Sequence, residues 1–355
     1  MNKIVSDSKK EGVVLSGMRP TGELHIGHFE GVLRNWVELQ NTHRSFYFVA
    51  DWHALTTELD TTHLQRHTLD MVKDWLAFGV DPEKSTIFVQ SYVPQHAELG
   101  LILERLINIG ALERMPSFKD QLNHLSTQST TRDENGQILT GEDAFRRLAK
   151  EKVSAGFLNY PVLQSADILL YGATHVPVGE DQLPHIELTR ELARTFNRQY
   201  GETLVVPEAL VGEAKRIRGT DGRKMSKSYK NDINPGMDPA QITSRVKSMV
   251  TVRSTLEKKG EPFDCAVYDL QRVFNQEGEL RIAQGCRNAS IRCYDCKMEL
   301  PDKISAAYDD YREKRPKIGD DFVKDVLHEG NKRATTVAQR TIERVIEAMK
   351  MDYLR

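Results

Sequence analysis

Cysteine is scarce in this chain: among 355 residues there are four, and all of them fall between Cys265 and Cys296. The amino-terminal stretch MNKIVSDSKKEG lacks the apolar centre of a secretory leader and the arginine-rich amphipathic pattern of a transit peptide. A cytoplasmic location is therefore expected. Thiols there stay reduced, which excludes a disulfide framework and leaves metal ligation, catalysis or inert packing. No hydrophobic run reaches the roughly 18 to 20 residues needed to cross a bilayer, so no membrane association is expected. Neither sign of charge dominates: 49 Lys and Arg stand against 51 Asp and Glu, a net charge of -2. That balance withholds the global basic signature of a nucleic-acid binder, although a local basic face stays possible. There is no internal repeat.

What is present suits a soluble α/β protein of two units, with 39% hydrophobic and 28% charged residues and ample chain to bury a core. Apolar runs at 12–17, 45–52 and 85–91 alternate with helical patterns at 27–40, 62–78 and 97–109. This alternation predicts a doubly wound parallel sheet, with ligands at the carboxyl ends of its strands. The loops after Leu15 and Val49 are thus the ones to watch. Residues 119–150 are polar and broken by DENG and TG, so they read as a surface insertion with a short helix near its end. Strand-like apolar residues return from Leu158 to Val178, and 179–197 reads as a helix entered through an acidic turn. Beyond 219–231 the pattern is helical, ending in a helix over 331–349 with one apolar face. The boundary between units is expected near 220–235, giving a catalytic unit over 1–220 and a helical unit over 221–355 whose last helix packs back on the first.

Three motifs carry chemistry. RPTGELHIGH at 19–28 joins a strand to a helix and places His25 and His28 at the helix mouth. Backbone N–H groups, the helix dipole and two imidazole donors favour an anion there; an incidental surface loop or a metal site are the other readings. KMSKS at 224–228, flanked by Gly219, Gly222, Arg223 and Lys230, suits a flexible loop that closes on a polyphosphate. The cysteines follow C-x20-C-x6-C-x2-C from Cys265 through Cys286 and Cys293 to Cys296. Four thiolates can hold either Zn2+ or an iron-sulfur cluster, and spacing does not choose between them.

The two loops together, in this order, resemble the HIGH and KMSKS motifs of class I aminoacyl-tRNA synthetases. The stretch NYPVLQSADILLYGATHVPVGEDQLPHIELTRELARTFN at 159–197, with SGMRPTGELHIGH, YFVADWHALTT and GTDGRKMSKS, is similar to bacterial tryptophanyl-tRNA synthetases. The resemblance implies a Rossmann-like catalytic domain, a helical domain that reads the tRNA anticodon, and a homodimer. It implies two steps: L-tryptophan attacks the α-phosphorus of ATP, with Mg2+ on the phosphates, and the tryptophanyl group then passes to tRNA(Trp). His25, His28, Lys224 and Lys227 would stabilise the phosphate charge. ATP would be held by Arg19, Pro20, Thr21, Gly27 and His28, by Gly179, Glu180, Asp181 and Gln182, and by Ile217, Lys224, Met225, Ser226, Lys227 and Ser228. Asp167 would accept the indole N–H, with Tyr160 walling the pocket and Gln182 beside the amino acid.

Some family members carry a similar four-cysteine pattern that binds a [4Fe-4S] cluster near the anticodon-binding region. The resemblance therefore points to that cluster first and Zn2+ second, as a staple ordering the loops around Arg287, Arg292 and Lys297. Gln164, Leu15 and Arg19 depart from familiar members, and Gln164 keeps a tyrosyl-tRNA synthetase as the runner-up. A non-catalytic paralogue binding RNA or amino acid, and a nucleotidyltransferase acting without tRNA, are the further alternatives.

Overall fold

A computed structural model describes residues 10–128, 137, 138, 141–212, 217–253, 255 and 257–354. Five strands form one parallel sheet: β1 (Val13–Met18), β2 (Arg44–Val49), β3 (Ser85–Val89), β4 (His175–Val178) and β5 (Glu208–Val211), in the order β3-β2-β1-β4-β5. In β2 every residue from Ser45 to Val49 is buried, the near-continuous burial that a parallel strand shows when helices cover both faces. Val14, Tyr47, Val49, Ile87 and Val89 enter one core, while Leu15, Phe46, Phe48 and Phe88 enter the other. Strand periodicity thus feeds two helical layers. The winding reverses between β1 and β4, the place where an open parallel sheet offers ligands a crevice at the carboxyl ends of its strands.

The Asp320–Ala348 helix serves both layers. Val323, Val326 and Leu327 pack in the first core, whereas Ala334, Ala338, Ile342 and Val345 pack in the second. It passes from one to the other across the outer edge of β3 at Gly330, where any Cβ would overlap the Ile87 carbonyl. One residue on, the Asn331 side chain accepts the Val89 N–H at 2.9 Å. A helix covers the strand edge that would otherwise present unpaired backbone groups.

Several stretches differ from the sequence reading, and the last helix begins at Asp320 and not at 331. Residues Ala155–Leu170 are a helix, not the start of a strand, and only His175–Val178 is extended. This helix lies between the Gln95–Leu103 and Leu183–Tyr200 helices. Buried from both sides, it carries no polar stripe to betray its period. The supposed insertion begins within a helix, Pro116–Gln128, and Phe118, Leu122 and Leu148 join the second core; the expected later helix is Gly141–Lys152. The DENG turn lies outside the described residues. β5, a short half-exposed edge strand, has too weak a pattern to be foreseen. Among the described residues no helix is long and apolar enough to cross a membrane.

Candidate active site

The loop leaving β1 is pinned by buried Leu24 and Ile26, and the Ile26 N–H donates to the Ile233 carbonyl at 2.9 Å. The His25 N–H donates to Nδ1 of His28 at 3.2 Å, and the two rings lie 3.9 Å apart. Since Nδ1 of His28 accepts, its hydrogen sits on Nε2, free to donate outward. Gly27 makes the arrangement possible, because a Cβ would come within 3.0 Å of the His25 ring. Burial pushes His25 down to about 4, against the pull of Asp232 and with help from Lys227. Burial, then His25, Lys224 and Lys227, push His28 down to about 3. Both are neutral donors at pH 7, so fixed charge must come from elsewhere.

The lysine loop supplies it. Asn231, buried, clamps this segment: its side chain accepts the Ser226 N–H at 2.7 Å and donates to Asp221 at 2.7 Å and to the Lys224 carbonyl at 3.1 Å. Met225 is buried beneath, Lys224 is exposed, and the Lys227 ammonium lies 3.6 Å from the Glu23 carboxylate in the first loop. Residues 19–28 and 224–227 therefore face each other although some two hundred positions separate them. The Ser228 side chain lies outside the described part. Arg19 extends from the first loop to the Thr57 hydroxyl at 3.2 Å, Pro20 is buried and Thr21 exposed. Gly179 ends β4, Glu180 and Asp181 are exposed beyond it, and Gln182 donates to Asp181 at 3.3 Å. Ile217 is buried in the first core.

Deeper in, Asp167 is 1% exposed, and both its oxygens are taken. Oδ1 accepts from Nδ1 of His96 at 2.6 Å and from Gln90 at 2.9 Å; Oδ2 accepts from Nε2 of His53 at 2.8 Å and from Gln90 at 3.0 Å. Behind His96, the Tyr171 hydroxyl lies 2.8 Å from Nε2. Burial raises the Asp167 carboxyl, but His96 and His53 outweigh it and hold the group well below the ordinary range. Tyr160 bonds His185 at 2.8 Å, and its ring meets that of His53 edge-on at 6.1 Å. Of these, His53, Gln90, His96, Tyr171 and His185 were given no role by sequence reasoning. His53 sits within YFVADWHALTT, but no spacing rule joins residues 53, 90, 96 and 167.

The model of the class I tRNA synthetases for tryptophan and tyrosine matches residues 7–309. The chain belongs to that family. The tryptophan–tRNA ligase of Thermotoga maritima is 43% identical over 350 residues, covering 95% of this chain and 99% of its own, and that of Aquifex aeolicus is 37% identical over 95% and 99%. Among solved structures, the tryptophanyl-tRNA synthetase of Campylobacter jejuni complexed with ADP and tryptophan superposes with a TM-score of 0.75 at 31% identity, covering 95% of this chain and 99% of that one. The Mycoplasma pneumoniae tryptophanyl-tRNA synthetase gives 0.77 at 25% identity over 96% and 97%.

In this synthetase the four cysteines are free and border one cavity of about 30 Å³, together with Arg253, Pro262 and Ile282. They surround a void instead of meeting at a point. Among the described residues no three His, Cys, Asp or Glu side chains could hold a metal ion, so the metal centre expected from their spacing is not assembled. A zinc site in particular needs four sulfurs about 2.3 Å from one centre. Burial raises the Cys286 thiol and pushes that of Cys296 up to about 12. Gln271 donates to the Cys296 carbonyl at 2.6 Å and approaches its sulfur at 3.5 Å.

Proposed function

We propose that the protein is a tryptophan–tRNA ligase: it activates L-tryptophan with ATP to tryptophanyl-adenylate and pyrophosphate, and transfers the tryptophan to the 3′ end of tRNA(Trp). One observation carries the reading. The loop after β1 and the lysine loop meet where the winding of the sheet reverses, and Asp167 is buried among residues that follow β2 and β3 at the same carboxyl ends. No covalent nucleophile is required, since holding carboxylate and α-phosphorus in line and compensating phosphate charge suffice. Lys224 and Lys227 supply the charge; His25 and His28, kept neutral, supply oriented N–H donors without the cost of burying cations. Mg2+ would ride on the phosphates and neutralise the departing pyrophosphate. Asp181 accepts from the ribose, Gly179 admits the nucleotide backbone closely, Ile217 lies against adenine, and Tyr160 walls the amino-acid pocket. ATP–pyrophosphate exchange with each amino acid, followed by charging of tRNA(Trp), tests this. Stimulation by tyrosine alone would overturn it in favour of the runner-up that Gln164 suggests.

The finer organisation is ours as well. A catalytic unit over 1–220 is followed by a helical unit over 221–355 that meets the anticodon, in a cytoplasmic homodimer. An RNA-facing role suits exposed Phe263, which Arg272 and Arg287 approach at 5.7 and 5.8 Å, because bases stack on such surfaces. Exposed Tyr92, Leu101 and Ile109 suit a self-association face. The four cysteines that border this cavity would be the ligands of a [4Fe-4S] cluster, and buried Arg253 at its wall suits an anionic thiolate-bound centre. Such a cluster would staple the surrounding loops and take no part in aminoacylation. Protein purified anaerobically should be brown and contain iron and sulfide; colourless protein with stoichiometric zinc would refute the cluster.

A further inference from the structure

The two oxygens of Asp167 are not equivalent. Oδ1 is enclosed: His96 and Gln90, both fully buried, donate to it. A carboxylate only accepts, so Nδ1 of His96 carries a hydrogen; in the neutral ring Nε2 is then left as an acceptor for the Tyr171 hydroxyl 2.8 Å away. In that form the chain of tyrosine, histidine and carboxylate is fully paired. Gln90 adds a brace, its amide bridging Oδ1 and Oδ2 at 2.9 and 3.0 Å. The remaining donor to Oδ2 is His53, at 9% the most exposed of the carboxylate's partners, and its ring faces Tyr160. A ligand coming from the Tyr160 side meets His53 before it meets Asp167.

We infer that His53 occupies the indole's seat on Oδ2 in the free enzyme and yields it when tryptophan enters, while His96, Tyr171 and Gln90 act as positioning residues that hold the carboxylate still through the exchange. The inference rests on the tryptophan reading above and adds how its acceptor is presented. One donor replaces another, so the carboxylate is never left bare in a buried site, which would be costly. A substrate ring without a donor displaces His53 at the same cost and offers nothing in return, so the indole's own hydrogen bond to Oδ2 carries the discrimination.

The test compares tryptophan with β-(benzothiophen-3-yl)alanine, whose ring carries sulfur in place of the indole N–H, in ATP–pyrophosphate exchange by the full-length protein. The readout is the ratio of kcat/KM for the two substrates. Tyr171→Phe keeps the ring and removes the donor to His96; it should lower the ratio by about three- to tenfold, the worth of one hydrogen bond, and leave the analogue's kcat/KM unchanged. Loss on both substrates in parallel would mean that Tyr171 only packs, and would overturn the positioning role. His96→Gln gives the same comparison should Tyr171→Phe fold poorly. His53→Ala should keep the ratio within about twofold, because a placeholder is dispensable once tryptophan is seated; collapse of the ratio would show that His53 itself reads the indole and would overturn the exchange. If the unmodified enzyme responds to tyrosine and not to tryptophan, the ligase assignment fails instead, and the two failures are distinguishable.

Discussion

Acidification should destabilise the protein through the two loop histidines, by an amount the structure allows to be worked out. Both imidazoles have folded-state values below the ordinary 6.5, about 4 for His25 and about 3 for His28. Between 6.5 and those values the unfolded chain binds protons that the folded chain refuses, so stability falls as pH drops through this window and is fully recovered above it. Each unit inside the window costs about 1.4 kcal/mol per group. Moving from pH 7.5 to 5.0 crosses about 1.5 units of it, which is about 2 kcal/mol for each ring and about 4 kcal/mol for the pair. Urea unfolding followed by the fluorescence of the buried Trp36 and Trp75 measures the drop directly. The His25→Gln, His28→Gln double variant should lose about 4 kcal/mol less than the parent over the same pH step. Every other group is common to both proteins and cancels in the difference. If parent and double variant fall by the same amount, the rings are not kept neutral by burial, and their role as uncharged donors goes with it.

Lys227→Ala removes a half-buried ammonium whose ion pair, to exposed Glu23, is long, so melting temperature should hardly move while ATP–pyrophosphate exchange falls by about a hundredfold or more; an unchanged exchange rate would take Lys227 out of the site. Asn231→Ala cuts the clamp on Ser226, Asp221 and Lys224 and should cost about 2 kcal/mol in urea unfolding, with a raised KM for ATP; a variant as stable as the parent would show that the loop holds its shape without it. Gly330→Val drives a branched side chain into the Ile87 carbonyl and should lower stability by about 3 kcal/mol in thermal unfolding, and an effect near zero would contradict the crossing of the β3 edge.

The parts of the fold readable in the sequence are those with one-sided or continuous burial. β1, β2 and β3 lie where apolar runs placed them, since a parallel strand buried on both faces is simply an apolar run. The Ala155–Leu170 helix was not readable for the same reason turned around: with neighbours on two sides, its composition imitates a strand. Polar Pro116–Gln128 concealed itself differently: among its described side chains only Phe118 and Leu122 are buried, the rest being mostly polar. The same division runs through the site. The two loops that face each other, 19–28 and 224–227, are each contiguous, and so each could be found as a string. The surroundings of Asp167 are gathered from the turn after β2, the end of β3, the Gln95–Leu103 helix and the Ala155–Leu170 helix, and only folding brings them together.

The crossing at Gly330 also sets an order of events during synthesis. β3 emerges from the ribosome with its outer edge bare, and the side chain that caps its Val89 N–H belongs to a residue 242 positions later. At about 5 to 20 residues per second, the sheet must wait on the order of ten seconds or longer for its cover. During that interval an incomplete sheet with an adhesive edge is exposed to other nascent chains. Chaperone dependence should therefore be greatest for polysomes stalled between these two elements and vanish once the Asp320–Ala348 helix has cleared the exit tunnel.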